Sequence, residues 1–239
     1  MLTTDKNYKH ERMNRSVRLT KSSWLYQKSS NLLYRHCKFI PSDQKYNITL
    51  SKSHRFVWYR IGKVGTRTIL DTLDQAGVSL TAEHPFWVRY APHSYEDYFK
   101  FTFVRNPWDR LVSCWKNKVK EADFNYFRIP EEEKKKLQDF GSFVDFVIAR
   151  GEISMNDPHL RAQSSMIDLN HVDFIGRFEN FEEDLRKVLT ALKIDNVEIP
   201  KKNATASRKT YHDYYDNITR DKVAEIYAKD IELFNYQFD

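Results

Sequence analysis

The stretch RFVWYRIGKVGTRTILDTLDQA, residues 55–76, carries the pattern that decides the fold. Its first part, Arg55–Ile61, is mostly β-branched or aromatic and ends at a glycine, which predicts a buried strand. Its last part, Thr68–Ala76, stops at Gly77 and predicts an amphipathic helix. The apolar side chains of that helix recur at helical spacing, at Ile69, Leu70, Leu73 and Ala76. The segment between them, Gly62–Thr68, is then a turn that joins a strand to a helix.

A second unit of the same kind follows it along the chain. Lys100–Val104 (KFTFV) predicts a strand, and Arg105-Asn106 predicts a turn. Pro107 suits the first position of a helix, which we expect to run to about Lys120. Two successive strand-turn-helix units favour a parallel sheet covered by helices, the α/β class.

Downstream patterns extend this sheet, and we divide the chain into an N-terminal extension, residues 1–50, and a main domain, residues 51–239. A third strand is predicted at Val172–Gly176. Further helices are predicted at Phe143–Arg150, Phe181–Leu192 and Asp221–Phe234, and a short one at Ser22–Leu33 within the extension. The charged run Glu131–Lys136 indicates a solvated helical face or a loop.

Composition excludes several classes of protein. The chain has 239 residues, of which 41% are hydrophobic, which is typical of a globular protein and far from a disordered one. Two cysteines are too few for a disulfide scaffold or for a zinc site. No apolar run is long enough to span a membrane, and the N-terminus lacks the pattern of a signal peptide, so we expect a cytoplasmic protein. The net charge of +6 favours an anionic ligand only weakly, and nucleic-acid binding is not expected.

The first predicted turn has the composition of an anion site. A glycine turn that leads into a helix directs backbone N–H groups at one place, and Lys63 with the neighbouring hydroxyls adds charge and donors. The spacing differs from that of a Walker A loop, which disfavours an ATPase or a kinase. In the second unit, Arg105 lies at the carboxyl end of a strand, where open α/β sheets bind ligands, and Ser113 follows eight residues later.

These two segments, KVGTRT (63–68) and FVRNPWDRLVS (103–113), resemble the two cofactor signatures of the sulfotransferases that use 3′-phosphoadenosine 5′-phosphosulfate (PAPS). The likeness is closest to soluble bacterial relatives in the carbohydrate sulfotransferase branch. It continues through DPHLRAQ (157–163), FIGRFENF (174–181), NATASRKTY (203–211) and FNY (234–236). The resemblance implies a P-loop-like three-layer α/β/α fold and transfer of a sulfuryl group to a hydroxyl acceptor, a saccharide or glycoconjugate. It implies no metal, and the product would be adenosine 3′,5′-bisphosphate.

Carried onto this chain, the resemblance assigns cofactor contacts residue by residue. The 5′-phosphosulfate would be held by Lys63, Val64, Gly65, Thr66, Arg67 and Thr68, with Lys63 near the bridging oxygen. The 3′-phosphate would be held by Arg105 and Ser113, with Ser207, Arg208 and Lys209 in a loop closing over it. The pair Thr66-Arg67 departs from the commoner family loop, so that Arg67 could face the cofactor, the acceptor or solvent.

The catalytic base is less defined by the sequence. His84 lies 21 residues after Lys63 and 21 before Arg105, about where the family places its base, and it is our first candidate. His93 and a carboxylate such as Glu83 are the alternatives. For the acceptor, the candidate contacts are His159, Trp87 and Arg67.

Two other functions are compatible with the chain at this stage. A nucleotide phosphotransferase would need a Walker A loop and a metal-binding acid, and neither stands in the required place. A basic anion-binding module, or a sulfotransferase-like domain without activity, would not need Lys63, Arg105, Ser113 and a base together. The oligomeric state is not predicted by the sequence.

Overall fold

The computed structural model describes residues 39–122, 125–151, 154, 156–200 and 210–239. These residues divide into two compact units, one with residues 39–42 and 91–96 and the other with residues 43–90 and the described part of 97–239. The second unit contains the sheet and both predicted cofactor motifs. The predicted helix Ser22–Leu33 lies outside the described residues, so the N-terminal extension stays a prediction.

The centre of the second unit is a sheet in which four strands lie in chain order. The strands are β1 (Ile48–Ser51), β2 (Phe56–Tyr59), β3 (Phe99–Val104) and β4 (Phe174–Arg177). β2, β3 and β4 are parallel, which confirms the predicted parallel sheet, whereas β1 pairs with β2 in the antiparallel sense. β1 was not predicted, and it begins before residue 51, where we drew the start of the main domain.

Helices flank this sheet and complete the predicted three-layer α/β/α arrangement. They are α1 (Thr66–Gln75), α2 (Pro107–Trp115), α3 (Glu131–Lys136), α4 (Phe140–Ala149), α5 (Phe181–Ala191), α6 (Asn217–Ile226) and α7 (Ala228–Phe234). A π-helical turn, Lys116–Lys120, continues α2 and takes the place of the regular helical end that we expected. No helix among the described residues combines the length and apolar character needed to cross a membrane.

The predicted single helix Asp221–Phe234 is wrong, because the chain bends at Tyr227 between α6 and α7. The buried Tyr227 hydroxyl donates to the carbonyl oxygen of Leu160 at 2.6 Å. The buried Asp230 carboxylate accepts the backbone N–H groups of Gln163 and Ser164 at 2.6 and 2.8 Å. The bend lets Tyr227 and α7 both attach to the segment 160–164.

The turn before α1 rests on an aromatic core. Gly65 has a φ of 83°, and a Cβ placed on it would lie 2.4 Å from Cε2 of Phe181. Phe181 in turn packs on Phe103 of β3, with ring centroids 5.3 Å apart. Only glycine fits this position without moving the core, because it tolerates the left-handed backbone and leaves room for the Phe181 ring.

A buried arginine ties three parts of the molecule together. Arg110, on α2, is 2% exposed. Its guanidinium donates from Nε to the carbonyl oxygen of Gly62 at 3.1 Å, from Nη1 to that of Arg161 at 2.9 Å and from Nη2 to that of Pro158 at 3.2 Å. The planar fork of arginine suits this task because its N–H groups point in fixed, diverging directions. The Gly62 turn and the segment 158–161 are thereby held side by side.

We expect Gly65→Ala to destabilise the protein more than Gly77→Ala does. Both glycines have a positive φ, but a Cβ on Gly77 would have no heavy atom within 4 Å. Gly77→Ala should therefore cost only the backbone strain, about 1–2 kcal/mol, whereas overlap with Phe181 should add about 1–3 kcal/mol at Gly65. Urea unfolding of both variants measures the difference, and equal losses would contradict the close packing of Phe181.

We also expect Arg110→Met to lower the free energy of unfolding by about 3 kcal/mol, because three carbonyl oxygens lose a charged donor. Arg110→Lys should recover little of it, since one ammonium group cannot reach three diverging carbonyls. Arg186→Met, which breaks an exposed pair with Glu182 on α5, is the control and should cost about 0–1 kcal/mol. Equal effects of Arg110→Met and Arg186→Met in urea unfolding would show that Arg110 is not a structural tie.

Candidate active site

The two predicted cofactor motifs meet at one edge of the sheet. β2, β3 and β4 run parallel, so their carboxyl ends lie together, and each is followed by a site segment. Nη1 of Arg105, after β3, donates to the carbonyl oxygen of Lys63, after β2, at 3.1 Å. The Arg105 guanidinium also lies 4.1 Å from the ring centroid of Phe178, after β4. This edge is where parallel α/β sheets bind ligands.

The first motif forms a tight turn that directs the start of α1 at this edge. Lys63 and Gly65 both have a positive φ, 72° and 83°. The first hydrogen bond of α1 runs from the N–H of Ile69 to the carbonyl oxygen of Gly65, so the N–H groups of residues 66–68 have no partner inside the helix. A helix start of this kind favours a negatively charged group.

The side chains of this turn differ in what they can offer a ligand. Val64 is fully buried, which leaves its backbone as its only polar contribution. The Thr66 hydroxyl donates to the carbonyl oxygen of Ile61 at 2.8 Å. Thr68 is buried, while Arg67 is exposed on the first turn of α1.

Lys63 lies among other cations. Burial, together with the positive charges of Arg105, Lys118 and Arg67, lowers the pKa of Lys63 to about 8. The Cys114 thiol is itself fully buried, and burial raises its pKa to about 12, so it carries no negative charge near neutral pH. Positive charge is therefore concentrated at this edge, and an anionic ligand would relieve the repulsion.

The Arg105 side chain of the second motif is held by a neighbouring carboxylate. Nε of Arg105, whose side chain is 14% exposed, donates to Oδ2 of Asp109 at 2.8 Å. Asp109 and Ser113 are four residues apart on α2 and therefore lie on one helix face. Within the described residues, Nη2 of Arg105 and the Ser113 hydroxyl make no hydrogen bond. A guanidinium edge and a hydroxyl on one face are suited to a phosphate group.

The backbone around Arg105 is clamped by side chains from distant segments. The buried Gln163 amide accepts the N–H of Arg105 at 2.9 Å and donates to its carbonyl oxygen at 2.8 Å. Oε1 of Glu179 accepts the N–H of Asn106 at 2.6 Å, and the Asn106 side chain caps α2 by accepting the N–H of Trp108. These bonds fix the direction in which Arg105 leaves β3.

A histidine that we predicted only as an acceptor contact lies against the first turn. A Cβ placed on Gly62 would be 3.3 Å from Cδ2 of His159. Nδ1 of His159 lies 2.9 Å from the Tyr126 hydroxyl, and Oδ1 of Asp157 accepts the backbone N–H of His159 at 2.8 Å. Burial lowers the pKa of His159, and the positive charges of Lys118 and Lys63 act in the same direction.

Lys118 joins this group from the π-helical turn that follows α2. Its Nζ lies 4.1 Å from the ring centroid of Tyr126, a cation–π contact. Single π-helical turns occur frequently at functional sites, where they redirect side chains. Neither Lys118 nor Tyr126 was singled out by the sequence, since neither stands in a local pattern that marks it.

The predicted base, His84, is engaged by its neighbours. Its side chain is 55% exposed. Nη1 of Arg60 lies 2.6 Å from Nδ1 of His84, and Oε1 of Glu83 lies 2.8 Å from Nε2. His93 belongs to the smaller unit, where its Nδ1 lies 2.6 Å from Oε1 of Glu96.

Trp87 lies in the inter-motif loop, the stretch between the motifs 63–68 and 103–113, and connects it to the His159 segment, residues 157–161. The guanidinium of Arg161 lies 4.4 Å from the centroid of the Trp87 ring system, and the Trp87 N–H donates to Oδ1 of Asn47 at 3.0 Å. The loop residues Ser207, Arg208 and Lys209 lie outside the described residues. Within the described ranges, no group of three His, Cys, Asp or Glu side chains is arranged to hold a metal ion.

Comparison with known proteins finds similarity to carbohydrate sulfotransferases. The chain is 25% identical to carbohydrate sulfotransferase 14 of Mus musculus over 232 residues, which cover 80% of this chain and 60% of that protein. It is 26% identical to carbohydrate sulfotransferase 11 of Rattus norvegicus over 171 residues, which cover 60% of this chain and 48% of the relative. The chain thus spans about half of these curated relatives. No solved structure matches it significantly.

The family assignment rests on a match that spans every element of the site. Residues 46–237 match the sulfotransferase family. This range contains the sheet, the Gly62 turn, Arg105 with the helix α2 that follows it, and the His159 segment. The chain belongs to the sulfotransferase family.

Proposed function

We propose that the protein transfers the sulfuryl group of PAPS to a hydroxyl group of a saccharide. The observation that carries this proposal is the hydrogen bond between Arg105 and the carbonyl oxygen of Lys63. It joins the cationic turn at the start of α1 to Arg105, which precedes α2, and α2 carries Ser113. A nucleotide with a phosphate at each end of its ribose needs two such anion sites side by side.

In this proposal the donor spans the two motifs. The 5′-phosphosulfate lies on the Gly62–Thr68 turn, where backbone N–H groups and Lys63 receive its oxygens. Thr66 and Val64 contribute their N–H groups, because the Thr66 hydroxyl already donates to Ile61 and the Val64 side chain is buried. The 3′-phosphate is held by Arg105 and Ser113. Ser207, Arg208 and Lys209 remain predicted contacts of the same phosphate.

The chemistry that this arrangement supports is an in-line displacement at sulfur. The acceptor hydroxyl attacks, and the bisphosphate leaves with the electron pair of the broken sulfur–oxygen bond. The Lys63 ammonium group stabilises the negative charge that develops on the leaving oxygen. A base removes the proton of the hydroxyl; the sequence makes His84 the first candidate and leaves His93 and Glu83 as the alternatives. No metal ion is part of the proposal.

The saccharide acceptor is proposed from the relatives, which are named carbohydrate sulfotransferases. Trp87, stacked with Arg161, offers the flat apolar surface on which sugar rings commonly pack. His159 and Trp87 both connect to the segment 157–161, so the acceptor would lie against that segment. Exposed Arg67, on the first turn of α1, could reach the acceptor or the donor.

We expect adenosine 3′,5′-bisphosphate to bind the purified protein with micromolar affinity in calorimetric titration, without a metal ion. ATP with magnesium is the control ligand, because a phosphotransferase would prefer it. Turnover of PAPS with a panel of saccharides, followed by mass spectrometry of the acceptor, tests the reaction itself. Preference for ATP with magnesium would overturn the proposed function.

We expect Lys63→Ala and Arg105→Ala each to weaken bisphosphate binding roughly 10- to 100-fold, because each removes a charge-assisted contact worth about 1.5–3 kcal/mol. Lys52→Ala is the matched control, since Lys52 is exposed in the β1–β2 turn, at the opposite edge of the sheet. The same titration measures all three variants. If the site variants bind as tightly as Lys52→Ala, the cofactor assignment is wrong.

The lowered pKa of Lys63 predicts a pH dependence of binding. With a pKa of about 8, Lys63 is mostly protonated at pH 7 and mostly neutral at pH 9. Bisphosphate affinity should therefore fall as the pH rises through 8, on the order of tenfold by pH 9. Lys63→Arg stays charged and should show no such fall. Equal pH dependence of the wild type and Lys63→Arg would exclude Lys63 as the titrating group.

A further inference from the structure

The base that the reaction needs must present an unshared electron pair to the acceptor hydroxyl. In a neutral imidazole one ring nitrogen carries a proton and the other carries the electron pair, and the hydrogen bonds around the ring decide which is which. His84, the base predicted from the sequence, can therefore be compared with His159 by following the hydrogen bonds around each ring.

The electron pair of His84 is already taken. A guanidinium group can only donate, so Nδ1 of His84 accepts from Nη1 of Arg60 at 2.6 Å. Nε2 then carries the ring proton, and the Oε1 atom of Glu83, 2.8 Å away, accepts it. In this arrangement neither nitrogen of His84 has a free electron pair that could take the proton of the substrate hydroxyl.

The bonds around His159 place its electron pair on Nε2, whereas in His84 the pair is on Nδ1. Burial alone would raise the pKa of Asp157, but hydrogen bonds from His159 and Tyr126 outweigh burial and lower that pKa. The Asp157 carboxylate is therefore ionised and can only accept hydrogen bonds. The Tyr126 hydroxyl therefore donates to Oδ1 of Asp157 at 3.3 Å. The hydroxyl oxygen, with its proton committed, accepts the Nδ1–H of His159 at 2.9 Å. The electron pair is thus left on Nε2.

The Nε2 edge of His159 lies beside the turn that the donor would occupy. Cδ2, which is bonded to Nε2 in the ring, is the His159 atom nearest to a Cβ placed on Gly62, at 3.3 Å. No hydrogen bond to Nε2 occurs within the described residues. Arg110 fixes this juxtaposition, because it bonds both the carbonyl oxygen of Gly62 and that of Pro158, the residue before His159.

We propose that His159 is the catalytic base and that Tyr126 and Asp157 are positioning residues that hold it in the Nδ1–H form. This inference rests on the proposed function and names the residue that carries out its proton transfer. His84 is then a structural neighbour of Arg60 in the inter-motif loop.

The groups that face His159 are consistent with a base at neutral pH. Burial lowers the pKa of His159, and Lys118 and Lys63 lower it further, whereas Asp157 opposes them. The remaining titratable group beside it is Tyr126, whose pKa is raised by burial and by Asp157. His159 is therefore mostly unprotonated at pH 7, and the acid limb of the rate profile should lie below the ordinary histidine value.

The step balances in atoms and charge. Nε2 takes the proton of the acceptor hydroxyl while the new oxygen–sulfur bond forms. The bond between sulfur and the bridging oxygen breaks, and its electron pair leaves with the bisphosphate, beside the Lys63 ammonium group. His159 is left as an imidazolium ion and returns its proton to solvent.

Nuclear magnetic resonance of the histidine rings tests the proposal without depending on the acceptor. We would record proton–nitrogen spectra of the full chain with saturating adenosine 3′,5′-bisphosphate and assign the His159 ring by its loss in His159→Gln. We expect the Nδ1–H form and a pKa below 6.5. In Tyr126→Phe, which keeps the ring under Lys118, the preference for that form should be lost. An Nε2–H form in the wild type would overturn the proposal.

Turnover of the same variants provides the second readout. His159→Gln should lower kcat roughly 10²- to 10⁴-fold, and Tyr126→Phe roughly 10- to 100-fold, with bisphosphate affinity unchanged in both. His54→Gln, in the turn at the other edge of the sheet, is the histidine control and should retain full kcat. A larger loss in His84→Gln than in His159→Gln would assign the base to His84 and overturn the inference.

The two experiments separate failure of this inference from failure of the proposed function. If the wild type binds no bisphosphate and PAPS is not turned over, the proposed function is wrong. If it binds bisphosphate while the His159 ring is in the Nε2–H form, the function stands and the base assignment is wrong. Retained bisphosphate binding in each variant also shows that the variant is folded.

Discussion

The position of the first turn beside the His159 segment depends on how one buried charge is satisfied. The Arg110 guanidinium is enclosed, and three carbonyl oxygens, of Gly62, Pro158 and Arg161, receive its protons. A buried cation without such partners would be strongly unfavourable, so these carbonyls cannot turn away without a large loss of free energy. Segments almost 100 residues apart in the chain are therefore held together. The first turn and the His159 segment form one surface for this reason.

That surface is built at a cost to stability. Lys63, a non-glycine residue, has a φ of 72°, and it lies close to the charges of Arg105, Arg67 and Lys118. Residues in sparsely populated backbone conformations persist where the surrounding structure determines them, and they cluster at ligand sites. Within the described residues, Asp109 is the only carboxylate bonded to Arg105. The unbalanced positive charge becomes favourable once an anion binds, and a bound ligand then stabilises the fold.

Most of the sheet and the meeting of the two motifs could be predicted, because their patterns are local. β2, β3 and β4 follow short apolar or aromatic runs, and the meeting of Lys63 with Arg105 follows from the parallel direction of β2 and β3. β1 was missed because four residues, ITLS, carry too little periodicity. The bend at Tyr227 was missed because its cause, the hydroxyl bond to Leu160, joins residues 67 positions apart. Tyr126 reaches His159 across 33 positions, and no local pattern marks such a pair.

The difference between local patterns and contacts of distant residues also explains why the spacing of the sequence indicated His84, whereas the geometry points to His159. Position in the chain can indicate that a histidine is near a site, but a base is defined by a free electron pair, which depends on side-chain partners. Tyr126 stabilises the useful form of His159 over a wide pH range, since burial and Asp157 raise the pKa of its hydroxyl above the ordinary value. The hydroxyl thus stays protonated and continues to donate to Asp157 as the pH changes. Of the three groups, His159 is the one that gains and loses a proton in the proposed reaction, while Tyr126 and Asp157 hold its ring in the form that can do so.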